Sequence, residues 1–125
     1  MGYYNETVMD YFQHPRNQEK LVDADAIGDV GNPVCSSLIK VYIKVKDNIL
    51  EQVTFEAFGS PATIASAGKL TELAQGQTLE QGLAITNQDI ADSLGGVPEE
   101  KMTCAVLSAD ALHAAIKQYQ DKFVK

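Results

Sequence analysis

Ile39, Val41, Ile43 and Val45 alternate with Lys40, Tyr42, Lys44 and Lys46. A period of two is the signature of a strand that buries one face. Asp47-Asn48 follows, and both residue types tolerate the positive φ that a two-residue turn requires. The chain then returns from Ile49 to about Phe58, with Ile49, Val53, Phe55 and Ala57 mostly facing one way. A connection this short permits only an antiparallel pairing. The Lys40, Lys44 and Lys46 row reads as the solvated face of the strand, where it blunts an edge.

Helical patterns flank this hairpin. Tyr4, Val8, Tyr11 and Phe12 form an apolar stripe over residues 4 to 13, which Pro15 stops. Residues 16 to 30 are polar, with Asp23, Asp25 and Asp29, and read as a loop entering a short strand near Ile27 to Gly31. After the hairpin, Ser60 can cap a helix that Pro61 opens and that runs through Ile64, Leu70 and Leu73 to Gly76. Thr78 to Gln81 has the form of a capping box and opens a short helix. Thr86 caps another that ends at Gly95-Gly96. The last helix is expected over about Thr103 to Phe123, with Leu112, Ile116, Tyr119 and Phe123 as its inner stripe. Helix, hairpin sheet and further helices in that order make the class α+β. At 125 residues, with no repeat and no dividing linker, residues 1–125 are read as a single domain.

Charge excludes whole classes of partner. The net charge is -7 and Arg16 is the only arginine, so no nucleic-acid partner is expected. The first residues have no basic region and no apolar core, so no signal peptide is expected. No apolar run approaches the length of a membrane span, so no membrane partner is expected either. The expected setting is a reducing cytoplasm, with free thiols.

The chemistry-bearing residues are the two cysteines. Cys35 lies in Gly31-Asn32-Pro33-Val34-Cys35-Ser36-Ser37, just before the alternating strand. Cys104 lies near the start of the last helical pattern, where free N–H groups would favour its thiolate. Thiolates suit zinc, copper(I) and iron–sulfur clusters, although two isolated cysteines more often pack as small hydrophobes. The small-residue turn Gly59-Ser60-Pro61 lies between them in sequence. His113 falls on the far face of the helix from Cys104, and His14 reads as a loop or cap residue, so neither is expected to ligate. No histidine lies near Ser36, Ser37, Ser60 or Thr103 in sequence to activate a hydroxyl, so an enzyme is not expected.

Several segments together resemble the IscU/NifU N-terminal family of iron–sulfur cluster assembly scaffolds. They are Tyr4-Asn5-Glu6-Thr7-Val8 with Pro15-Arg16-Asn17, Gly31-Asn32-Pro33-Val34-Cys35, Phe58-Gly59-Ser60 with Ile64-Ala65-Ser66, and Lys101-Met102-Thr103-Cys104 with Leu107 and Ala109-Asp110-Ala111. The resemblance runs along nearly the whole chain. It implies a three-stranded antiparallel sheet backed by several helices. It also implies a site of three cysteines, an Asp two residues after the first, and a His directly before the third. Cys35 and Cys104 are retained as metal ligands and sulfur acceptors. Ser37 stands at the Asp position, Ser60 at the middle Cys position and Thr103 at the His position. Tyr4 matches a family tyrosine, with packing as the equal alternative.

The resemblance therefore implies an iron–sulfur scaffold or carrier. It would receive sulfur from a cysteine desulfurase, with Cys104 as the favoured acceptor. It would bind iron or a [2Fe–2S] cluster through a reduced thiolate set, zinc being able to substitute. One chain cannot supply four thiolates, so the cluster would bridge a homodimer. Val97-Pro98-Glu99-Glu100-Lys101 aligns with a segment read by an Hsp70-type chaperone, and its two acidic residues argue against that recognition. The alternative is a non-ligating, scaffold-like interaction protein that docks on a cysteine desulfurase.

Overall fold

The computed structural model describes residues 4–32, 34 and 36–123. Three strands form one antiparallel sheet in the order β1-β2-β3: β1 Ala26–Asn32, β2 Ser37–Lys46 and β3 Ile49–Phe58. The predicted turn is present, with Asp47 and Asn48 at φ 53° and 65°. That handedness matches the twist of the two strands it joins. The predicted short strand near Ile27 is β1, one residue longer at each end.

Ile39, Val41 and Ile43 point from β2 into the core together with Val53 and Phe55 of β3. Two helices cover that face: α2 (Pro61–Ala74) lies mainly over β3, and α6 (Ser108–Phe123) over β1 and β2. Leu70 of α2 and Leu112 and Ile116 of α6 are fully buried there. Each such side chain contributes roughly 1.5–3 kcal/mol of transfer free energy. Tyr119 is partly buried against the same core, as the α6 stripe predicts, while the Phe123 side chain lies outside the described ones.

Shorter helices brace this pair. The N-terminal helix α1 (Glu6–Gln13) packs on α2, and Asn5 caps it by accepting the Val8 N–H at 2.8 Å. The same Asn5 amide donates to the carbonyls of Leu94 and Gly96, at 3.0 and 2.9 Å, so it ties α1 to the end of α4 (Asn87–Ser93). Thr78 and Thr86 form full capping boxes at α3 (Leu79–Ala84) and α4. Arg16 stacks over the Tyr11 ring at 3.9 Å and pairs with Asp10 at 2.8 Å. Asn17 turns at φ 60° and accepts the Phe55 N–H, so Pro15-Arg16-Asn17 does structural work.

The expectation that the sheet buries one face is corrected. Tyr42 and Thr54, a cross-strand pair on the opposite face, are 1% and 3% exposed. Gln18 bridges to Phe55 at the β3 edge, and the Asp25 N–H donates to Ile43 beside β1. The segment between them crosses that face, where Asp23 meets Lys44 at 2.9 Å. Alternation in β2 could not reveal this, because the covering segment is polar and lies outside the periodic run.

Burial, and the Glu56 carboxylate that accepts its hydroxyl proton, push the Tyr42 phenol up to about 12. Between about pH 10, where an exposed tyrosine ionises, and pH 12 the native chain then binds more protons than the unfolded one. Stability is expected to fall as pH rises through that window. Phenolate absorbance would show one of the five tyrosines titrating late. Tyr42→Phe should remove that late step, and its persistence in the variant would assign it elsewhere.

Candidate thiol site

The turn between β1 and β2 is held against the segment that carries Cys104. At its near end, the Asn32 side-chain amide donates to the Thr103 carbonyl at 3.3 Å. The Asn32 side-chain oxygen accepts the Val34 N–H at 3.1 Å, a local turn that asparagine forms readily. At its far end, Ser36 holds φ 56°, in the left-handed region, and Ser37 begins β2. Ser37 is 6% exposed, and its Oγ donates to the Cys104 carbonyl at 2.6 Å. Both ends of the turn are thus hydrogen-bonded to consecutive carbonyls, those of residues 103 and 104. Cys35 itself lies outside the described residues.

Cys104 is half-buried and disulfide-bonded, and no free cysteine occurs among the described residues. This corrects the expectation of free thiols. The expected helix start at Thr103 is also corrected. Cys104 is the last residue of a one-turn helix, α5 (Lys101–Cys104), and α6 begins only at Ser108. The Cys104 sulfur therefore belongs to the carbonyl end of a helix, and the argument that exposed N–H dipoles favour its thiolate does not hold.

The physical cause is a hydroxyl network behind the thiol. The Ser108 Oγ donates to the Ser66 carbonyl at 3.2 Å. The Ser66 Oγ lies 3.3 Å from the Ala105 carbonyl and 3.1 Å from that of Thr63. Ala105 and Val106 are buried and lie outside both helices, since α5 ends at Cys104 and α6 begins at Ser108. The N-terminus of α6 is then capped from another element, by Asn87 of α4, whose side-chain oxygen accepts the Ala109 N–H at 3.0 Å.

The middle position follows from sheet register. Leu38 pairs with Phe58, so Ser37 and the Gly59-Ser60 turn lie at the same end of the sheet. Ser60 has the backbone of an N-cap for α2, but its side chain makes no capping bond. Its Oγ lies 3.4 Å from the Thr63 Oγ1 instead. Thr103 is exposed at the side chain, while its carbonyl is engaged by Asn32. Cys104, Ser37 and Thr103 are thus brought together, with Ser60 on the neighbouring loop.

The remaining candidates lie elsewhere. His14 ends α1 and is exposed. His113 Nε2 lies 2.9 Å from the Ile85 carbonyl and joins α6 to the end of α3. Tyr4 is partly buried against the core, which agrees with its packing role. Among the described residues no group of three or more His, Cys, Asp or Glu side chains converges on a point that could hold a metal. A groove of 310 Å³ opens on the other face of the sheet, lined by Gln18, Glu19, Leu38, Lys40, Glu56 and Phe58, none of them a site residue. Sequence reasoning missed Asn32 as a site residue. Its place beside Pro33, in a turn that needs an Asn-type side chain, was the available signal.

Hydroxyls at 37, 60 and 103 give this site no charge and no third thiol. It can do thiol chemistry. It cannot surround a cluster from one chain.

The profile of the NifU-like N terminal domain matches residues 3–125. The iron-sulfur cluster assembly scaffold protein IscU 1 of Archaeoglobus fulgidus is 51% identical over 116 residues, which cover 93% of this chain and 76% of that protein. The scaffold protein IscU of Aquifex aeolicus is 41% identical over 118 residues, covering 93% and 75%. A crystal structure of a NifU-like protein (N-terminal) from Brucella abortus superposes with a TM-score of 0.76 at 19% identity, covering 94% of each chain. At that identity it supports the α+β fold alone. With a profile match across nearly its whole length and relatives of this identity, the chain belongs to the NifU-like N-terminal domain family.

Proposed function

We propose that this protein works in iron–sulfur cluster assembly as a scaffold or carrier. It receives sulfur from a cysteine desulfurase on Cys35 or Cys104 and holds iron or a [2Fe–2S] cluster as cargo. One observation carries the reading: Asn32 and Ser37, on either side of Cys35, are both bonded to the Thr103–Cys104 backbone. The two described residues that flank Cys35 in sequence are thereby tied to the backbone that carries Cys104.

The donor set decides the stoichiometry. Ser37 is committed to a carbonyl and Ser60 faces Thr63, so each chain offers two thiolates and no more. Four-thiolate ligation then takes two chains, and the disulfide must first be reduced, because only the thiolate ligates. Zinc, which also accepts thiolates, can take the same position.

Reduced protein given iron and sulfide without air should yield a coloured dimer with roughly one cluster per two chains. Cys104→Ala should abolish it. If Cys35→Ala binds iron and sulfide as the wild type does, the bridging arrangement is wrong.

A second reading is favoured by the engagement of Ser37 and Ser60 with protein atoms. In it the chain docks on a cysteine desulfurase without ligating. That reading expects desulfurase capture with no metal uptake in the same preparation, and absence of capture would remove it.

A further inference from the structure

The outer edge of β3 is covered along most of its length. The Leu50 N–H donates to the Gln77 carbonyl, the Val53 N–H to the Gln75 side chain, and the Phe55 N–H to the Asn17 carbonyl. Gln18 bridges to Phe55, and the covering segment then turns off, with the Glu19 N–H folded back to the Asn17 carbonyl at 3.1 Å. Ala57 comes next on this edge. Antiparallel pairing alternates, so its N–H and carbonyl point away from β2 as those of Phe55 do. Its N–H has no hydrogen-bond partner among the described residues.

The 310 Å³ groove opens where this edge is bare, and Ala57 lines it. Register sorts its lining into two rows. Leu38 pairs with Phe58, and the two are 44% and 73% exposed. Lys40 pairs with Glu56 in the next row, and Glu19 faces the same groove. The Tyr42 hydroxyl donates to Glu56 and so holds that carboxylate in place. Lys40 makes no ion pair among the described residues. Two carboxylates against one ammonium leave the charged row negative. An apolar row, an acidic row and an open backbone edge thus adjoin.

We propose that this groove docks an extended segment of a partner protein, added to the β3 edge at Ala57. The segment carries a large apolar side chain and, two residues away, a lysine or arginine. Side chains two apart on a strand share a face and stand roughly 6.6 Å apart, which is also the spacing of Phe58 from Glu56 along β3. The apolar side chain would lie on Leu38 and Phe58, and the cation would face Glu19 and Glu56. The Ala57 N–H and carbonyl would pair with the main chain of the segment. A second copy of this chain fits less well. It carries the same net charge of -7 and would set like carboxylates against each other. A stable dimer also buries about 1,200–2,000 Å², more than two apolar side chains and one edge residue supply. Docking here needs neither sulfur reception nor cluster binding.

The test uses the full chain and a fluorescent peptide, Ser-Thr-Leu-Thr-Arg-Thr-Ser, capped at both ends. It contains no cysteine, so the result is independent of the thiols. Fluorescence anisotropy should show binding that weakens with added salt. The same peptide with glutamate for arginine should bind at least about tenfold more weakly. Phe58→Ser and Glu19→Lys should each weaken binding of the arginine peptide by about tenfold. Both residues are exposed, so neither change disturbs the core. Amide exchange at Ala57, followed by NMR, should slow by about tenfold or more when the peptide is bound. Absence of binding at about 1 mM peptide overturns the inference. So does equal affinity for the two peptides, equal affinity of the variants and wild type, or unchanged exchange at Ala57 in the bound protein. A wild type that dimerises without peptide, and that Phe58→Ser makes monomeric, would give the groove to a second copy and overturn it as well.

Discussion

Gly28→Ala is expected to lower folding stability by about 3 kcal/mol or more. The helix α6 crosses β1 at this residue. A Cβ built there would lie 2.1 Å from the Ala111 carbonyl oxygen and 2.4 Å from the Ala115 nitrogen. Both are main-chain atoms inside α6, so neither can rotate aside. The methyl is accommodated only if α6 lifts from the sheet, and Leu112 and Ile116 would then be drawn out of the core. Gly76 supplies the contrast. It holds φ 89° with nothing within 4 Å of its would-be Cβ, so Gly76→Ala should lose only the left-handed backbone penalty, roughly 1–2 kcal/mol. Urea unfolding at constant m-value would rank the two. A Gly28→Ala midpoint equal to that of wild type would mean that α6 does not rest on β1 as described.

That contact also marks where sequence legibility ends. The hairpin was readable because a period of two and a two-residue turn are both local, and Asp47 and Asn48 adopt the positive φ that their types permit. The boxes at Thr78 and Thr86 were readable for the same reason, since cap and partner are three residues apart. The start of α6 was not. Its cap is Asn87, and its preceding turn is held by Ser66, both remote in sequence. Local pattern alone ran the helix back to Thr103, and with it went the argument about the Cys104 thiolate. Tyr42 was missed because the segment that buries it is polar. At the site, the positions were readable from motif resemblance. The roles of the hydroxyls were not, because a serine in place of an acid looks like a loss until its partner, the Cys104 carbonyl, is known.

Ser37→Asp, which would place the family's residue at this position, is expected to destabilise the reduced protein by about 2–4 kcal/mol at neutral pH. The Ser37 hydroxyl is buried and donates to the Cys104 carbonyl at 2.6 Å. An ionised carboxylate has no proton to donate, so it would face that oxygen with like polarity and without water. Ser37→Ala should be milder, about 1 kcal/mol, because it removes the bond without adding charge. The pH profile separates the two. Burial raises the native pKa of the new carboxyl, so the native state binds more protons than the unfolded state. The Ser37→Asp variant is then expected to lose stability as pH rises from about 4 towards that native pKa and to remain low above it. Wild type and Ser37→Ala should show no such added step. Adding Thr103→His places an imidazole directly before Cys104. It should recover part of the loss below about pH 6.5, where the ring is cationic, and less above. Unfolding curves across pH 4 to 8 would show both trends. A Ser37→Asp protein within about 0.5 kcal/mol of wild type at neutral pH would mean that the hydroxyl–carbonyl bond does not hold this turn.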